Sequence, residues 1–366
     1  MEGHFQQVCD ACSIDPIWLT AMLHSAGIGV GNAVVEVSRG SIGTGQLGDN
    51  VRFQLRWRDG AGTGPASVIG KFPSKSEDSR AAAVAMGTYV KEVGFYRDLK
   101  DQLSIRTPAS MHVGWNDQTH DFVIMMEDIT PAQQGDQIDG CGVEQAALVV
   151  DQAVGLHGPT WGRAEELAKL DWIEIPTPAK SAPIRGIMDS VYPGFAQRFA
   201  GRLSVEDIDL CGAVIDGYER WLTARTDWCA EHGWALIHGD YRLDNVIFGS
   251  GSPAPVVTIV DWQTTSIGLG PTDVSYFIGT GLQPAVRSQV ERDLVDRYAD
   301  GLRAAGVAVS EAAIWDGYVL GSAHGVVMSV VASQIVEQTP RGDEMFAVMA
   351  SRTAAQIRDV GLMERI

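Results

Sequence analysis

Positive charge is in short supply. The chain carries 28 lysines and arginines against 46 aspartates and glutamates, a formal net charge of −18. Nucleic-acid binding needs a basic footprint, which this balance denies. An anionic ligand would have to be held by a local basic patch or a metal ion. Cysteine is also scarce. Cys9, Cys12, Cys141, Cys211 and Cys229 are odd in number and scattered, which excludes a disulfide framework. Cys9 and Cys12 form a C-x-x-C, but no second pair follows to complete a zinc site; they read as two thiols in an N-terminal segment. The opening MEGHFQQVCDACSIDP lacks a basic start and an apolar core. No run approaches the length of a membrane span. These absences point to a reducing, cytoplasmic protein with no membrane partner. Nothing in the sequence sets the oligomeric state, and there is no internal repeat or low-complexity tract.

What is present is an ordinary globular composition, 45% hydrophobic and 20% charged over 366 residues. That suits two compact domains or one domain with two lobes. SIDPIWLTAMLHSAG reads as a capped helix, with Asp15 as cap, Pro16 in the first turn and Gly27 past the end. Two alternating β-rich runs then flank a glycine-rich turn, which makes a hairpin. ASVIGKF, ASMHVGW and DFVIMMEDI complete a five-stranded sheet, accompanied by one long helix over SEDSRAAAVAMGTYVKEVGFYRDLKDQL. Beyond about residue 130 helical periodicity dominates, and only VIF and VVTIVDW read as strands. The expectation is an α+β chain: a nucleotide-binding lobe over 1–127 with a helical extension over 1–30, and a helical lobe over 128–366. The Pro-rich WIEIPTPAKSAPIRG reads as a loop or lid.

Gly43, Gly45 and Gly48 fit G-x-G-x-x-G, but a strand follows where a dinucleotide fingerprint needs a helix. The context suits a hairpin whose backbone N–H groups lie over phosphates, or one whose glycines serve only positive φ. Lys71 stands in a strand of small and apolar residues. It either snorkels to solvent or aims its ammonium at phosphates. In the second case it needs a carboxylate, and Glu92 is preferred over Glu77, which lies at a helix start where it serves the macrodipole.

HGDYRLDNVIF concentrates polar groups ahead of a short strand, and VVTIVDW follows it. Asp261 leaves the end of an apolar strand. With Asn245 it offers a carboxylate and an amide oxygen, the hard ligands that magnesium takes. Asp240 is then free to orient a hydroxyl and accept its proton. A base, two metal-holding groups, a lysine and a glycine-rich cover are the parts phosphoryl transfer needs.

These motifs resemble those of the aminoglycoside phosphotransferase and choline kinase group of small-molecule kinases. HGDYRLDN and VDW match its H-G-D-x-x-x-x-N and D-x patterns. HGDYRLDNVIF is similar to phosphotransferase domains found alone or fused to acyl-CoA dehydrogenases, and WLTAMLHSAG and KEVGFYRDL are similar to the ecdysteroid-kinase-like branch. The resemblance covers nearly the whole chain and implies a bilobal protein-kinase-like fold. It implies ATP, with GTP as the alternative, and Mg²⁺ as cofactors. It makes Asp240 the base and Asn245 and Asp261 the metal ligands, with Lys71 on the α/β-phosphates paired to Glu92. It also places the backbone of Glu127 and Ile129 on adenine and gives Asp273 a role supporting the catalytic loop. The glycine loop departs from protein kinases, with one extra residue before its valine.

Several polar residues have blander readings. His238 reads as a hydrogen-bonding scaffold and His157 as a packed core histidine. Asp244 reads as a turn cap, and Arg242 as either an anion contact or a surface residue. Trp161, Trp172 and Tyr192 read as core packing before acceptor contacts. Arg341–Asp343, an R-G-D, reads as an exposed helix start. The competing function is a nucleotide-binding pseudoenzyme, against which the full set of Asp240, Asn245, Asp261 and Lys71 argues. A phosphohydrolase would need an early D-x-D at a strand end, and none is present. No D-F-G or A-P-E follows Asp261, so a protein substrate is not expected. The acceptor is a small-molecule hydroxyl, either an aminoglycoside or a hydroxy acid, hydroxyacyl or other lipophilic alcohol.

Overall fold

The computed structural model describes residues 10–43, 47–60, 62, 64–251 and 255–366, without the side chains of 178–183. It divides into two compact units. The first comprises Met1–Asp101, Thr107–Pro131 and Asp261–Gln263. The second comprises Gln102–Arg106, Ala132–Val260 and Thr264–Ile366.

The first unit opens with α1 (Pro16–Ser25). The Asp15 carboxylate accepts from Trp18 N–H and caps it. There follow β1 (Val34–Ile42), β2 (Gly48–Trp57), β3 (Ser67–Pro73), α2 (Glu77–Ala85), α3 (Thr88–Gly94), β4 (Ser110–Trp115) and β5 (Phe122–Glu127). The strands form one antiparallel sheet in the order β1-β2-β3-β5-β4. β3 is its central strand, so Lys71, opposite Asn50 on β2 and Ile124 on β5, is buried with its apolar neighbours. Beneath the sheet, Leu19, Met22, Leu23, Phe53, Val68 and Met125 are fully buried. Each such side chain contributes roughly 1.5–3 kcal/mol.

The long helix expected after β3 is interrupted. Gly87, at φ +66°, ends α2 and starts α3, because a left-handed residue cannot continue a right-handed helix. The break re-phases the chain, and α3 then buries Glu92. A π-helical turn over Phe95–Leu99 follows. There Phe95 stacks on Trp262, ring centroids 3.6 Å apart, which ties Asp261–Gln263 to this unit.

The second unit contains β6 (Ala132–Gln134), α4 (Val143–Thr160), α5 (Ala164–Leu167), α6 (Pro178–Phe199), α7 (Val205–Asp216) and α8 (Tyr218–His232). These are followed by β7 (Ala235–Ile237), β8 (Val246–Gly249), β9 (Val256–Ile259) and β10 (Ser266–Gly268). The chain ends with α9 (Pro271–Gly281), α10 (Pro284–Ala304), α11 (Glu311–Gly321), α12 (Ala323–Ile335) and α13 (Pro340–Val360). β6, β8 and β9 form one small sheet; β7 and β10 form another. β6, β7 and β10 were not foreseen. They are three residues each, too short for a period to show.

Three expectations are corrected here. The Pro-rich segment is not all loop: α6 begins at Pro178, a residue whose fixed φ suits the first helical turn. R-G-D is not simply exposed, because Asp343 pairs with Arg198 and is 13% exposed. One stretch, Glu311–Ile335, is long and apolar enough by composition to cross a membrane, with mean hydropathy 1.3. It comprises α11 and α12, and 61% of its 18-residue apolar window is buried inside the fold. Such a run marks core helices equally well.

Candidate active site

The loop after β7 carries His238, Gly239 and Asp240. Its backbone is held by Asp273, in the first turn of α9. Asp273 Oδ2 accepts from His238 N–H at 2.7 Å and Oδ1 from Gly239 N–H at 3.0 Å. His157 Nε2 lies 3.1 Å from Oδ2, and its Nδ1 lies 2.7 Å from the Tyr298 hydroxyl. Burial pushes the Asp273 carboxyl upward, but the His157 hydrogen bond and charge, with His238, leave it below its ordinary value. A depressed carboxylate contributes stability that is present above the unfolded value and lost as pH falls through the folded one. Gly239 has φ +80°, and a Cβ there would lie 2.7 Å from Thr264 O, so only glycine fits. Replacing Asp273 with alanine strands two backbone donors and an imidazole. The variant should lose about 2–4 kcal/mol of stability, and an unchanged thermal midpoint would exclude this bracing role.

His238 has both ring nitrogens engaged. Nδ1 accepts from Asp240 N–H at 3.2 Å, and Nε2 donates to Val260 O at 3.0 Å. It is a scaffold, as is His157.

The Asp240 carboxylate is surrounded by donors. Arg242 Nε bridges its two oxygens at 3.0 and 3.1 Å. Asn245 Nδ2 donates to Oδ2 at 2.9 Å, and the Tyr276 hydroxyl donates to Oδ1 at 3.1 Å. Asn245 Nδ2 also donates to Asp240 O at 2.8 Å. Two acceptors fix which way the amide points and leave Oδ1 as the atom suited to a cation. Arg242 is not a surface residue, its side chain being 18% exposed. It spans Asp240 and Asp244, donating to Asp244 Oδ2 at 2.7 Å. Asp244 also caps Gln137 N–H at 2.9 Å. Tyr276 went unnoticed in the sequence. Its signal was the i, i+3 spacing from Asp273, which sets both on one helix face.

In the first unit, Lys71 Nζ lies 2.8 Å from Glu92 Oε1, 2.7 Å from Oε2, and 3.0 Å from Asp261 Oδ1. The Lys71 and Glu92 side chains are 7% and 1% exposed, whereas Asp261 is 39% exposed. Burial alone would lower the lysine's pKa, but Asp261 and Glu92 raise it above its ordinary value. Burial raises the Glu92 carboxyl, which Lys71 only partly offsets. Asp261 has φ +69°, a left-handed conformation that aspartate adopts more readily than most residues. Glu77 sits exposed at the start of α2, where its carboxylate suits the helix dipole.

Gly43 has φ +72°, and Gly45 lies outside the described residues. Gly48 is needed for space: a Cβ there would be 3.1 Å from Phe72 O and 3.6 Å from Lys71 Cε. The Glu127 N–H is taken by Ala109 O at 2.9 Å. Trp161 Nε1 donates to His232 O at 2.7 Å, Tyr192 donates to Ile208 O at 2.9 Å, and Trp172 is buried. All three anchor the packing.

The sequence pattern of the ecdysteroid kinase-like family matches residues 50–308, more than half of the chain, including Lys71, Glu92, Asp240, Asn245 and Asp261. The chain belongs to the ecdysteroid kinase-like family. This family member is a small-molecule kinase, a phosphotransferase with an alcohol group as acceptor. No curated protein matches its sequence. Among solved structures it is similar to the GDP complex of wild-type aminoglycoside 2'-phosphotransferase-IIIa, at 12% identity, covering 94% of this chain and 100% of that one with a TM-score of 0.53. It is similar to the Plasmodium vivax ethanolamine kinase at 10% identity, covering 88% and 83%, TM-score 0.50. It is also similar to a microcompartment-associated aminopropanol kinase at 12% identity, covering 89% and 94%, TM-score 0.50. At such identities the shared property is the α+β, protein-kinase-like fold.

Proposed function

We propose that the enzyme transfers the γ-phosphoryl group of Mg-ATP to a hydroxyl of a small-molecule acceptor. The observation that carries this reading is Lys71, held at once by Glu92 and by Asp261, residues far apart in the chain. Two carboxylates around one buried ammonium keep it charged and fixed in position, as a lysine that grips phosphate oxygens must be.

The donor set fits magnesium. Among the described residues no group of three or more His, Cys, Asp or Glu is arranged to hold a metal. By their chemistry Asn245 and Asp261 would each offer a hard oxygen, the kind of ligand magnesium takes when water and phosphate complete its shell. When bound, the ion supplies neutralisation of the charge on the transferring phosphoryl group. Lys71 holds the α/β-phosphates. The backbone groups of Glu127 and Ile129 hold adenine, and Gly43, Gly45 and Gly48 let the hairpin backbone cover the phosphates. Asp240 orients the acceptor hydroxyl and accepts its proton, since an ionised carboxylate has room for about four hydrogen bonds. Arg242, Asn245 and Tyr276 fix its position and hold no proton in transit. GTP is the alternative donor. We place the enzyme in the cytoplasm.

The test is ATP consumption with Mg²⁺ against aminoglycosides, choline, hydroxy acids and their thioesters, macrolides and sterols. Turnover of one class, abolished by Asp240→Ala, is expected. Absence of both ATP and GTP binding would overturn the reading. Asp261→Asn keeps the shape and tolerates the left-handed backbone. It should weaken Mg-nucleotide affinity about 10–100-fold, and unchanged affinity by calorimetry would remove Asp261 from the metal site.

A further inference from the structure

Arg225, in the helical unit, lacks a counter-charge. Among the described residues, Arg225 in α8 has no hydrogen bond and no carboxylate partner, and its Nε is buried. Elsewhere in the unit Arg185, Arg198, Arg242, Arg287 and Arg358 each meet an aspartate or glutamate. In a chain with such an excess of acid, an arginine left without a partner is not for want of carboxylates. Its guanidinium carbon lies 5.0 Å from the centroid of the Trp221 ring. That indole is itself fixed, its Nε1 donating to Leu320 O at 2.7 Å. The stack covers one face of the guanidinium and leaves its edge, the fork of N–H donors, unengaged. Arg225 is partly exposed, so the outer end reaches solvent while Nε does not. Burial lowers its pKa, and no carboxylate opposes that; only Cys229 and Tyr218 do.

Its position links it to the loop of Asp240. The Trp221 ring beneath it is hydrogen-bonded to Leu320, four residues before His324 of α12. His324 Nε2 donates to Gly239 O at 2.7 Å. Its ring meets Tyr276 edge-on at 5.2 Å, and the Tyr276 hydroxyl is on Asp240. A half-buried cation without a counter-ion gains from a ligand that supplies the anion.

We propose that Arg225 binds an anionic group of the acceptor, and that the acceptor is a hydroxyl compound bearing a carboxylate. A planar guanidinium matches a planar two-oxygen anion through paired hydrogen bonds. A single charge matches a single charge, whereas a phosphate would call for a second cation. The same cation disfavours a polycationic acceptor. The proposal rests on the phosphotransfer reading above and specifies its substrate.

The experiment measures Mg-ATP-dependent phosphorylation of a chain-length series of hydroxycarboxylic acids against their methyl esters, with ATP affinity followed separately by calorimetry. Acids are expected to be turned over in preference to esters. Arg225→Met should raise KM for the acids roughly 10- to 100-fold and erase the preference, and Arg225→Lys should restore part of it. Esters used as well as acids, or an Arg225→Met enzyme with unchanged KM, would overturn the proposal. So would transfer to neither series while ATP still binds, which leaves the phosphotransfer reading standing. Loss of ATP binding in the wild-type protein would instead bring down that reading and this proposal with it. Should Arg225→Met fail to fold, the wild-type acid-to-ester preference and the lysine variant still decide.

Discussion

Asp240→Ala should reduce phosphoryl transfer by about 10²–10⁴-fold while the protein still folds and still binds nucleotide. The carboxylate is the convergence point of Arg242, Asn245 and Tyr276, and no other described carboxylate shares that set of donors. Removal is tolerable structurally because Arg242 keeps Asp244, and because the loop backbone is held by Asp273 rather than by Asp240. The measurement pairs single-turnover transfer with calorimetric nucleotide affinity. Transfer within about tenfold of wild type would mean that another group takes the proton. Lost nucleotide affinity would mean that Asp240 holds the cofactor instead.

Lys71→Met should be the most damaging substitution for stability and function together. Glu92 is almost wholly buried, and the ammonium is its principal counter-charge. Breaking a buried pair by removing one partner costs about 3–5 kcal/mol, and loss of a phosphate-gripping donor lowers kcat by about 10²–10³-fold. The sign of the pH dependence follows. Burial already raises the Glu92 carboxyl above its ordinary value of 4.5, and without Lys71 it rises further. A carboxyl raised by folding binds more protons in the folded state, so its stability contribution is lost as pH rises through the folded value. The deficit of Lys71→Met should therefore be smallest in mild acid and grow toward neutral pH. Adding Glu92→Leu should recover much of the stability but none of the activity. Equal urea midpoints for Lys71→Met and wild type at neutral pH would contradict this account.

The N-terminal sheet was legible because its strands are alternating or apolar runs bounded by turn residues. The long helix was misjudged because a lone glycine in a helical pattern does not announce its φ, and Gly87 is left-handed. Arg242 was left between two readings because a sequence shows that a cation is near two aspartates but not which of them it touches. Arg225 gave no signal at all: a missing partner is a property of the packed structure.

By itself the sequence determined the candidate residue types and their spacing. H-G-D-x-x-x-x-N fits Asp240 and Asn245 into one tight turn, and a β-branched run delivers Asp261 at its end, because backbone geometry over a few residues leaves little choice. Only the tertiary structure decided which groups meet. Lys71, Glu92 and Asp261 come from distant stretches of chain. Asp273 closes on a loop 35 residues before it. Such pairings are selected by the burial of whole elements, and the desolvation that makes the contacts matter exists only once those elements have packed.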